Sequence, residues 1–264
     1  MRKIIFALLF MSQTALAKLP REGNASTIKS TITSTQFWKI VNDLNDIYKP
    51  IFHGHKINFW FEARLDDPKI ELRTEYYITK WNNDRKIIVK GGLVKSYGLN
   101  EAGMIMLLCH EIGHSLAGYP AGSSAPAYSF EGQAYYYAGH VCARRAFDKY
   151  LNRVDFKNAM TKIDQCEKNF DSQREKNICY LTHLGAQSVA DMILIMQGTK
   201  RGAYSDQHDS FVAKSMNEFY PTPQCIYDSI VAGLDCHERV WDDAVIPANK
   251  NATCRNRPQC WYVP

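Results

Sequence analysis

The chain has 264 residues, of which 45% are hydrophobic and 22% are charged. This composition excludes wholesale disorder, and the length predicts one domain, or two tightly joined halves, with a sizeable core. The formal net charge is +5, or +3 once Arg2 and Lys3 are removed, which is too weak to indicate nucleic acid or a membrane surface as a partner.

The first 17 residues have the pattern of a secretory signal peptide. Arg2 and Lys3 form a basic start, a seven-residue apolar run extends from Ile4 to Phe10, and Ala15-Leu16-Ala17 offers a cleavage site. The apolar run is too short for a membrane anchor, which needs about 20 residues. We therefore expect an exported chain of bacterial style, secreted or periplasmic, without stable membrane insertion.

The region before the central motif changes from a helical to a strand-like pattern. Apolar residues at helical spacing predict a helix over 36–49. Turn sequences at Asp66-Asp67-Pro68 and Asn82-Asn83-Asp84 separate three runs that predict strands. The predicted strands are Ile57 to Phe61, Ile70 to Tyr77 and Lys86 to Val89. We expect these strands to form a small antiparallel sheet.

The clearest predicted helix covers 101–117. Asn100 is a suitable N-cap, and Glu101 suits the positive end of the helix. Gly118 and Pro120 indicate where the helix ends.

Two more helices are predicted after the central one, over 130–151 and 179–198. The tail from Tyr220 is rich in Pro, Cys and Asn, so it is predicted to be irregular and held by disulfides. The predicted organisation is a signal peptide (1–17), one domain (18–219) and a Cys- and Pro-rich appendage (220–264).

All eight cysteines lie after the predicted signal peptide, and an even number in an exported chain favours disulfides. Close spacing suggests the pairs Cys166/Cys179, Cys225/Cys236 and Cys254/Cys260, although eight cysteines allow 105 connectivities. A structural zinc site is the alternative, but the chain has no C-x2-C pair.

The sequence from His110 to His114 is H-E-x-x-H, and it falls inside the predicted helix 101–117. Residues four apart lie on one face of a helix, so two imidazoles with this spacing can bind one Zn²⁺. Glu111, next to the first histidine, is a candidate general base for a zinc-bound water. Two histidines that merely pack in a half-buried helix are the structural alternative.

A catalytic zinc usually has three protein ligands. The metzincin pattern is excluded, because Ala117 and Pro120 stand where it needs Gly and His. Glu131 lies 17 residues after His114, beyond a turn-rich stretch, and an antiparallel helix could bring it to the metal. His140 is the competing ligand, although nine residues separate it from Glu131 and place it on the opposite side of a straight helix.

The H-E-x-x-H helix followed by a helix that opens with E-x-x-A resembles the gluzincin metallopeptidases, most closely their HtpX-type and ImmA-type branches. The matching residues are His110, Glu111, His114, Glu131 and Ala134. The resemblance covers roughly 85–150. It implies a zincin-like fold, a zinc endopeptidase and a substrate backbone held along a strand beside the zinc helix, for which Lys86 to Val89 is the candidate.

Tyr135 departs from the family pattern, which usually has Asp or Asn after the alanine of E-x-x-A. Its hydroxyl could support a ligand or an oxyanion, and simple aromatic packing is the alternative. No oxyanion-stabilising residue is identifiable among His140, His183, His208 and Tyr135.

The sequence thus predicts a helix-rich α+β, zincin-like domain with a small antiparallel sheet and a disulfide-stapled tail. The predicted function is an exported zinc-dependent metallopeptidase acting on a protein or peptide. His110, His114 and Glu131 are its zinc ligands and Glu111 its base. The alternatives are a cell-wall peptide hydrolase on the same zinc site, and a non-catalytic secreted binding protein on a decayed zincin fold.

Overall fold

The computed structural model describes only part of the chain. The predicted signal peptide, 1–17, lies outside the described residues, which are 32–78, 83–95, 98–122, 128–153, 156–157, 162–198, 204, 207–216, 220–236, 254 and 256–263.

Helices dominate the described chain, and three strands follow the first helix. In chain order the elements are α1 (Ser34–Gly54), β1 (Asn58–Arg64), β2 (Leu72–Ile78), β3 (Asn83–Lys90), α2 (Gly91–Lys95), α3 (Glu101–Leu116), α4 (Glu131–Tyr137), a π-helical segment (Ala138–Cys142), α5 (Ala143–Asp148), α6 (Asp164–Asn169), α7 (Gln173–Met196) and α8 (Pro223–Leu234).

Helix α1 is longer than the predicted 36–49 because a capping box fixes its start. The Thr33 side chain accepts from the Gln36 backbone N–H, and the Gln36 side chain accepts in return from the Thr33 backbone. Its apolar side chains form one buried stripe along the helix: Phe37, Ile40, Val41, Leu44, Tyr48 and Phe52.

The sheet is small, as predicted, but it is mixed and not antiparallel. The strand order is β1-β3-β2, in which β1 pairs with β3 in parallel and β2 pairs with β3 antiparallel. The antiparallel prediction assumed that successive strands are neighbours, whereas β3 lies between β1 and β2. Alternation of side chains shows which face of a strand is buried, but it carries no information about the order of the strands.

The two faces of the sheet differ sharply in chemistry. Phe59, Ile87 and Val89 point inward and are buried. On the outer face, the Lys86 ammonium lies 2.9 Å from Glu62 and 3.1 Å from Glu75, on the two neighbouring strands. The sheet therefore packs its apolar face on the helices and presents an ion-pair network outward.

Helix α3 covers Glu101–Leu116 and runs through the centre of the protein. The Asn100 side chain accepts from the Gly103 backbone N–H at 2.7 Å and caps the helix as predicted. Ser115 is its one incompletely buried residue. Glu101 is held at the helix start by Arg153, whose guanidinium donates to both carboxylate oxygens at 2.7 and 2.9 Å.

The second predicted helix, 130–151, is observed as a continuous helical run from Glu131 to Asp148 with a π-helical segment inside it. The segment, Ala138–Cys142, contains His140 and is joined to α3 by the disulfide Cys109–Cys142. An inserted π turn shifts the phase of every residue that follows it, and such turns are frequent at functional sites.

Helix α7 begins earlier than the predicted 179–198, at Gln173, because Ser172 caps it by accepting from the Glu175 backbone N–H. By length and composition alone α7 could cross a membrane. However, 83% of its most apolar window is buried inside the protein, which is the pattern of a core helix. It packs directly against α3 and α8.

The prediction that the tail is irregular is wrong for Pro223–Leu234, which form helix α8. Thr222 caps this helix and Pro223 occupies its first turn, where a missing N–H costs nothing. Ile226 and Ile230 are fully buried in the same core as α3 and α7. Proline and cysteine enrichment suggested irregular structure, but here the proline starts a helix.

All eight cysteines are paired, as predicted, in four disulfides: Cys109–Cys142, Cys166–Cys179, Cys225–Cys260 and Cys236–Cys254. The predicted pair Cys166/Cys179 is confirmed, whereas Cys225/Cys236 and Cys254/Cys260 are wrong. Cys225 lies in the first turn of α8 and Cys236 lies just beyond its last turn, so the length of the helix keeps them apart. Each pairs instead with a cysteine of the final segment. Four disulfides are consistent with an oxidising compartment.

Two buried disulfides allow a matched test of stability. Residues 109 and 142 are 33 apart in sequence, and residues 166 and 179 are 13 apart. From loop-closure entropy we expect losses of about 3.7 kcal/mol for C109S/C142S and about 2.9 kcal/mol for C166S/C179S. Urea unfolding of the two double variants measures both losses. A larger loss for C166S/C179S would contradict this ranking.

Candidate metal centre

The two histidines of H-E-x-x-H converge in the core. His110 and His114 are buried, and their Nε2 atoms lie 3.1 Å apart. The spacing of four residues along α3 places both rings on one side of the helix. His110, Glu111 and His114 form a buried group whose nitrogen and oxygen atoms are close enough together to hold a metal ion.

Glu131 reaches the same point from the next helix. Its carboxylate oxygens lie 3.2 Å from His110 Nε2 and 3.7 Å from His114 Nε2. The chain reverses between α3 and α4, where the Ser129 backbone N–H donates to the His114 carbonyl at 3.0 Å. This reversal makes Glu131 the first residue of α4 and points it at the histidines, as the sequence predicted.

A glycine inside the motif permits the close approach of α4 to α3. A Cβ at Gly113 would lie 2.7 Å from the carbonyl oxygen of Ala134, closer than real Cβ contacts come. Gly113 is therefore the point where the backbones of the two helices touch. Any larger side chain there would push α4, and Glu131 with it, away from the histidines.

The protonation states of the two histidines suit a cation. The His114 Nδ1–H donates to the Ser129 carbonyl at 2.8 Å, which leaves the lone pair on Nε2 facing His110. Burial lowers the pKa of His110 to about 3 and that of His114 to about 4. Both rings are therefore neutral near pH 7, and neutral imidazole is the form that binds metals.

Glu131 supplies the negative charge of the group. Burial raises the pKa of its carboxyl, and the nearby His114 opposes that rise. Its Oε2 atom is buried without a hydrogen-bond partner. His110 Nδ1 is also buried without a partner. Unsatisfied buried polar atoms are costly, and a cation held between the imidazole Nε2 atoms and the carboxylate would satisfy Glu131 Oε2.

Glu111 is held in place by a residue that sequence reasoning missed. Thr74, in the middle of β2, donates its hydroxyl to Glu111 Oε2 at 2.7 Å and lies 3.0 Å from the Glu111 backbone oxygen. Burial raises the pKa of Glu111 to about 8, and the hydrogen bond from Thr74 works against this rise. One threonine in a strand carries no sequence signal for this role.

Tyr135 packs against the site but does not bond to a ligand. Its ring stacks on His110, with ring centres 3.8 Å apart. Its hydroxyl forms a hydrogen bond with the hydroxyl of Tyr220, near the start of the tail. Tyr220 was not a predicted site residue. The aromatic packing that the sequence offered as the simpler alternative is thus what the structure displays, with Tyr220 as an added partner.

The C-terminal segment braces the helix that carries Glu131. A Cβ at Gly132 would lie 2.1 Å from the ring of Trp261, which is fully buried and donates to Ser229 at 2.9 Å. The Arg257 guanidinium donates to the Gln133 side chain at 2.9 Å. The first turn of α4 is therefore fixed between α3 and the end of the chain.

The other candidate histidines are not brought to this group. The His140 ring packs against Tyr136, with ring centres 5.9 Å apart. His183 Nδ1 bonds to the Tyr227 hydroxyl at 2.7 Å in a separate place between α7 and α8. The His208 side chain is 91% exposed, and its ring lies 3.4 Å from Asp228.

Both β2 and β3 contact α3, but β3, which contains the predicted Lys86 to Val89, is the central strand. That segment belongs to β3, which has β1 on one side and β2 on the other. A central strand has already used its backbone hydrogen bonds, so it cannot take another strand. Within the described chain β2 pairs on one side only, and it contacts Glu111 through Thr74.

No protein-family model, no curated protein and no solved structure matches this chain.

The group His110, His114 and Glu131 predicts stoichiometric metal binding. We expect the oxidised protein to hold about one zinc ion per chain, and Glu131→Gln to weaken zinc binding by more than about 100-fold because a charged donor is lost. Elemental analysis and a chelator competition measure both. Glu62→Gln, on the outer face of the sheet, is the control and should bind zinc as the wild type does. Equal affinity in the wild type and Glu131→Gln would contradict a three-ligand site.

Proposed function

We propose that this chain is an exported zinc-dependent metallopeptidase of gluzincin type on a zincin-like fold. The observation that carries the proposal is the convergence of two neutral imidazoles and one carboxylate, from two helices, in a buried position beside Glu111. The resemblance in the motifs supports the same class, since it names these residues independently of their geometry.

Zinc is the metal that this donor set favours. Two imidazole nitrogens and one carboxylate are the ligands of a common type of catalytic zinc site, which leaves a fourth position for water or substrate. His110, His114 and Glu131 would hold the ion. When bound, zinc polarises a substrate carbonyl and lowers the pKa of a water molecule.

Glu111 then serves as the general base. His110, His114 and Glu131 are assigned as ligands, which leaves Glu111, beside His110 on α3, free to act on water, and Thr74 donates to one of its oxygens. The carboxylate accepts a proton from the attacking water and passes it to the leaving amine. A raised pKa suits this task, because a base whose pKa is near the working pH can both take up and release the proton.

The free edge of β2 is the place where a substrate would bind. An extended peptide that pairs with β2 lies along the strand that carries Thr74, beside Glu111. Backbone pairing holds any sequence equally, so this arrangement suits a peptide or an unfolded protein segment as substrate. Pairing with β2 would hold a protein segment and a cell-wall peptide equally well. Digestion of casein beside digestion of purified cell wall distinguishes the two substrates.

The support for Glu111 favours catalysis over a non-catalytic binding protein on a decayed fold. A chain that had lost its chemistry would have no use for a buried, hydrogen-bonded glutamate beside a metal site, since such a group costs stability. Tyr135, which kept that alternative open, fills its position by stacking on His110.

Replacement of the base is the direct test. Glu111→Gln keeps the shape of the side chain and removes its basicity, so we expect kcat to fall about 10²–10⁴-fold while one zinc per chain is retained. Casein digestion and elemental analysis give the two readouts. Unchanged digestion by Glu111→Gln would refute the proposed function.

The role of Thr74 can be separated from that of the metal. Thr74→Val keeps the size of the side chain but removes the hydroxyl that bonds to Glu111. We expect kcat/KM to fall about 10- to 100-fold, since hydrogen bonds to charged groups are worth about 1.5–3 kcal/mol, with zinc content unchanged. Thr74→Ser restores the hydroxyl and should recover most of the activity. A Thr74→Val protein as active as the wild type would show that Glu111 needs no anchor.

A further inference from the structure

Two buried polar groups stand without partners a short way along β2 from the metal centre. The hydroxyl of Tyr76 and the Nε of Arg85 are buried and make no hydrogen bond. They belong to one cluster, because the Arg85 guanidinium lies 4.6 Å from the centre of the Tyr76 ring. The two residues face each other across the β2–β3 pair.

Arg85 is a buried cation with no ion-pair partner among the residues that the structure describes. It is 7% exposed, and no carboxylate of the described chain lies within ion-pair distance of its guanidinium. Its hydrogen bonds go to neutral oxygens, the Asn83 side chain at 2.7 Å and the Asp84 backbone carbonyl at 3.0 Å. The Asp84 carboxylate itself accepts from Asn58 at 2.8 Å. Arginine remains charged in proteins, so this buried charge has no ion pair and is offset only by the longer-range attraction of Asp84.

Tyr76 connects this cation to the catalytic residues. It lies two positions after Thr74, which holds Glu111, and both side chains point to the same face of β2. Ser115 lies beside the Tyr76 hydroxyl without reaching hydrogen-bond geometry, and Glu111 and Glu131 act on it electrostatically. Two residues of a strand cover about 6–7 Å, so the cluster is within about two substrate residues of the cleaved bond.

Buried donors that lack partners are rare in folded proteins, and two in one cluster mark a place that a ligand completes. A guanidinium beside a phenol hydroxyl offers charge-assisted hydrogen bonds of the kind that recognise carboxylates. We propose that Arg85 and Tyr76 form a subsite that binds a carboxylate of the substrate, within about two residues of the cleaved bond. This inference rests on the proposed peptidase function.

The carboxylate could be an acidic side chain or the C-terminal carboxylate of a short peptide. Two pairs of peptides separate these sources once a cleaved bond has been mapped in casein. One pair differs by Glu or Gln within two residues of that bond, and the other by a C-terminal acid or amide. For one of the pairs, zinc-loaded wild type should show kcat/KM about 10- to 100-fold higher for the carboxylate form.

Substitutions of Arg85 and Tyr76 test whether these residues cause the preference for the carboxylate form of the peptide. In Arg85→Gln the ratio of the two kcat/KM values should fall to about one, and in Tyr76→Phe it should fall several-fold. Arg64→Gln is the matched control, because Arg64 lies on β1 with its side chain 60% exposed, and it should keep the wild-type ratio. A wild-type ratio near one in both pairs, or a ratio that persists in Arg85→Gln, would overturn the subsite.

Binding without turnover separates this proposal from the peptidase proposal. Calorimetric titration of Glu111→Gln protein with the same peptides should show tighter binding of the carboxylate form, and the added Arg85→Gln substitution should abolish the difference. If the wild type cleaves no peptide, the peptidase proposal fails, while the acid and amide forms of one short peptide, which need no mapped bond, still test the subsite by binding. Should Arg85→Gln not fold, Tyr76→Phe, which removes a single hydroxyl, provides the test.

Discussion

The close contact between α3 and α4 at Gly113 is the constraint on which the site depends. The two backbones meet where a Cβ would collide with the Ala134 carbonyl, and only at that separation does Glu131 reach both histidines. A carboxylate from a different helix makes the site a property of the tertiary structure. A single helix is enough to place the two histidines on one face. The third donor, Glu131, reaches them only when α4 packs against α3.

A disulfide and two side chains of the C-terminal segment hold α3 and α4 in this contact. The disulfide Cys109–Cys142 ties α3 to the π-helical segment that follows α4. Trp261 and Arg257 hold the first turn of α4 from the other side. The candidate ligands are therefore held in position by the fold itself, and such preorganisation lowers the entropy that binding an ion would cost.

The sequence predicted which residues of the candidate site come together better than it predicted the order of the strands and the disulfides. H-E-x-x-H and the glutamate 17 residues later are local patterns with a mechanical meaning, so His110, Glu111, His114 and Glu131 could be named before their positions were known. The order of the strands and the partners of Cys225 and Cys236 depend on contacts between distant segments, and local spacing does not encode them. The role of Thr74 also depends on a contact between distant segments, since Thr74 reaches Glu111 only because β2 lies against α3.

The tail shows how composition can mislead. Pro223 and the final cysteines suggested an irregular appendage, yet α8 is buried in the main core and the last residues support α4. Two disulfides attach those last residues to α8 and the residues that follow it: Cys225–Cys260 and Cys236–Cys254. The position of Glu131 is thus linked through Trp261 to bonds that form only under oxidising conditions. In a reducing compartment the tail would be released, α4 would lose its brace and the candidate metal site would loosen, so a rigid site depends on oxidising conditions.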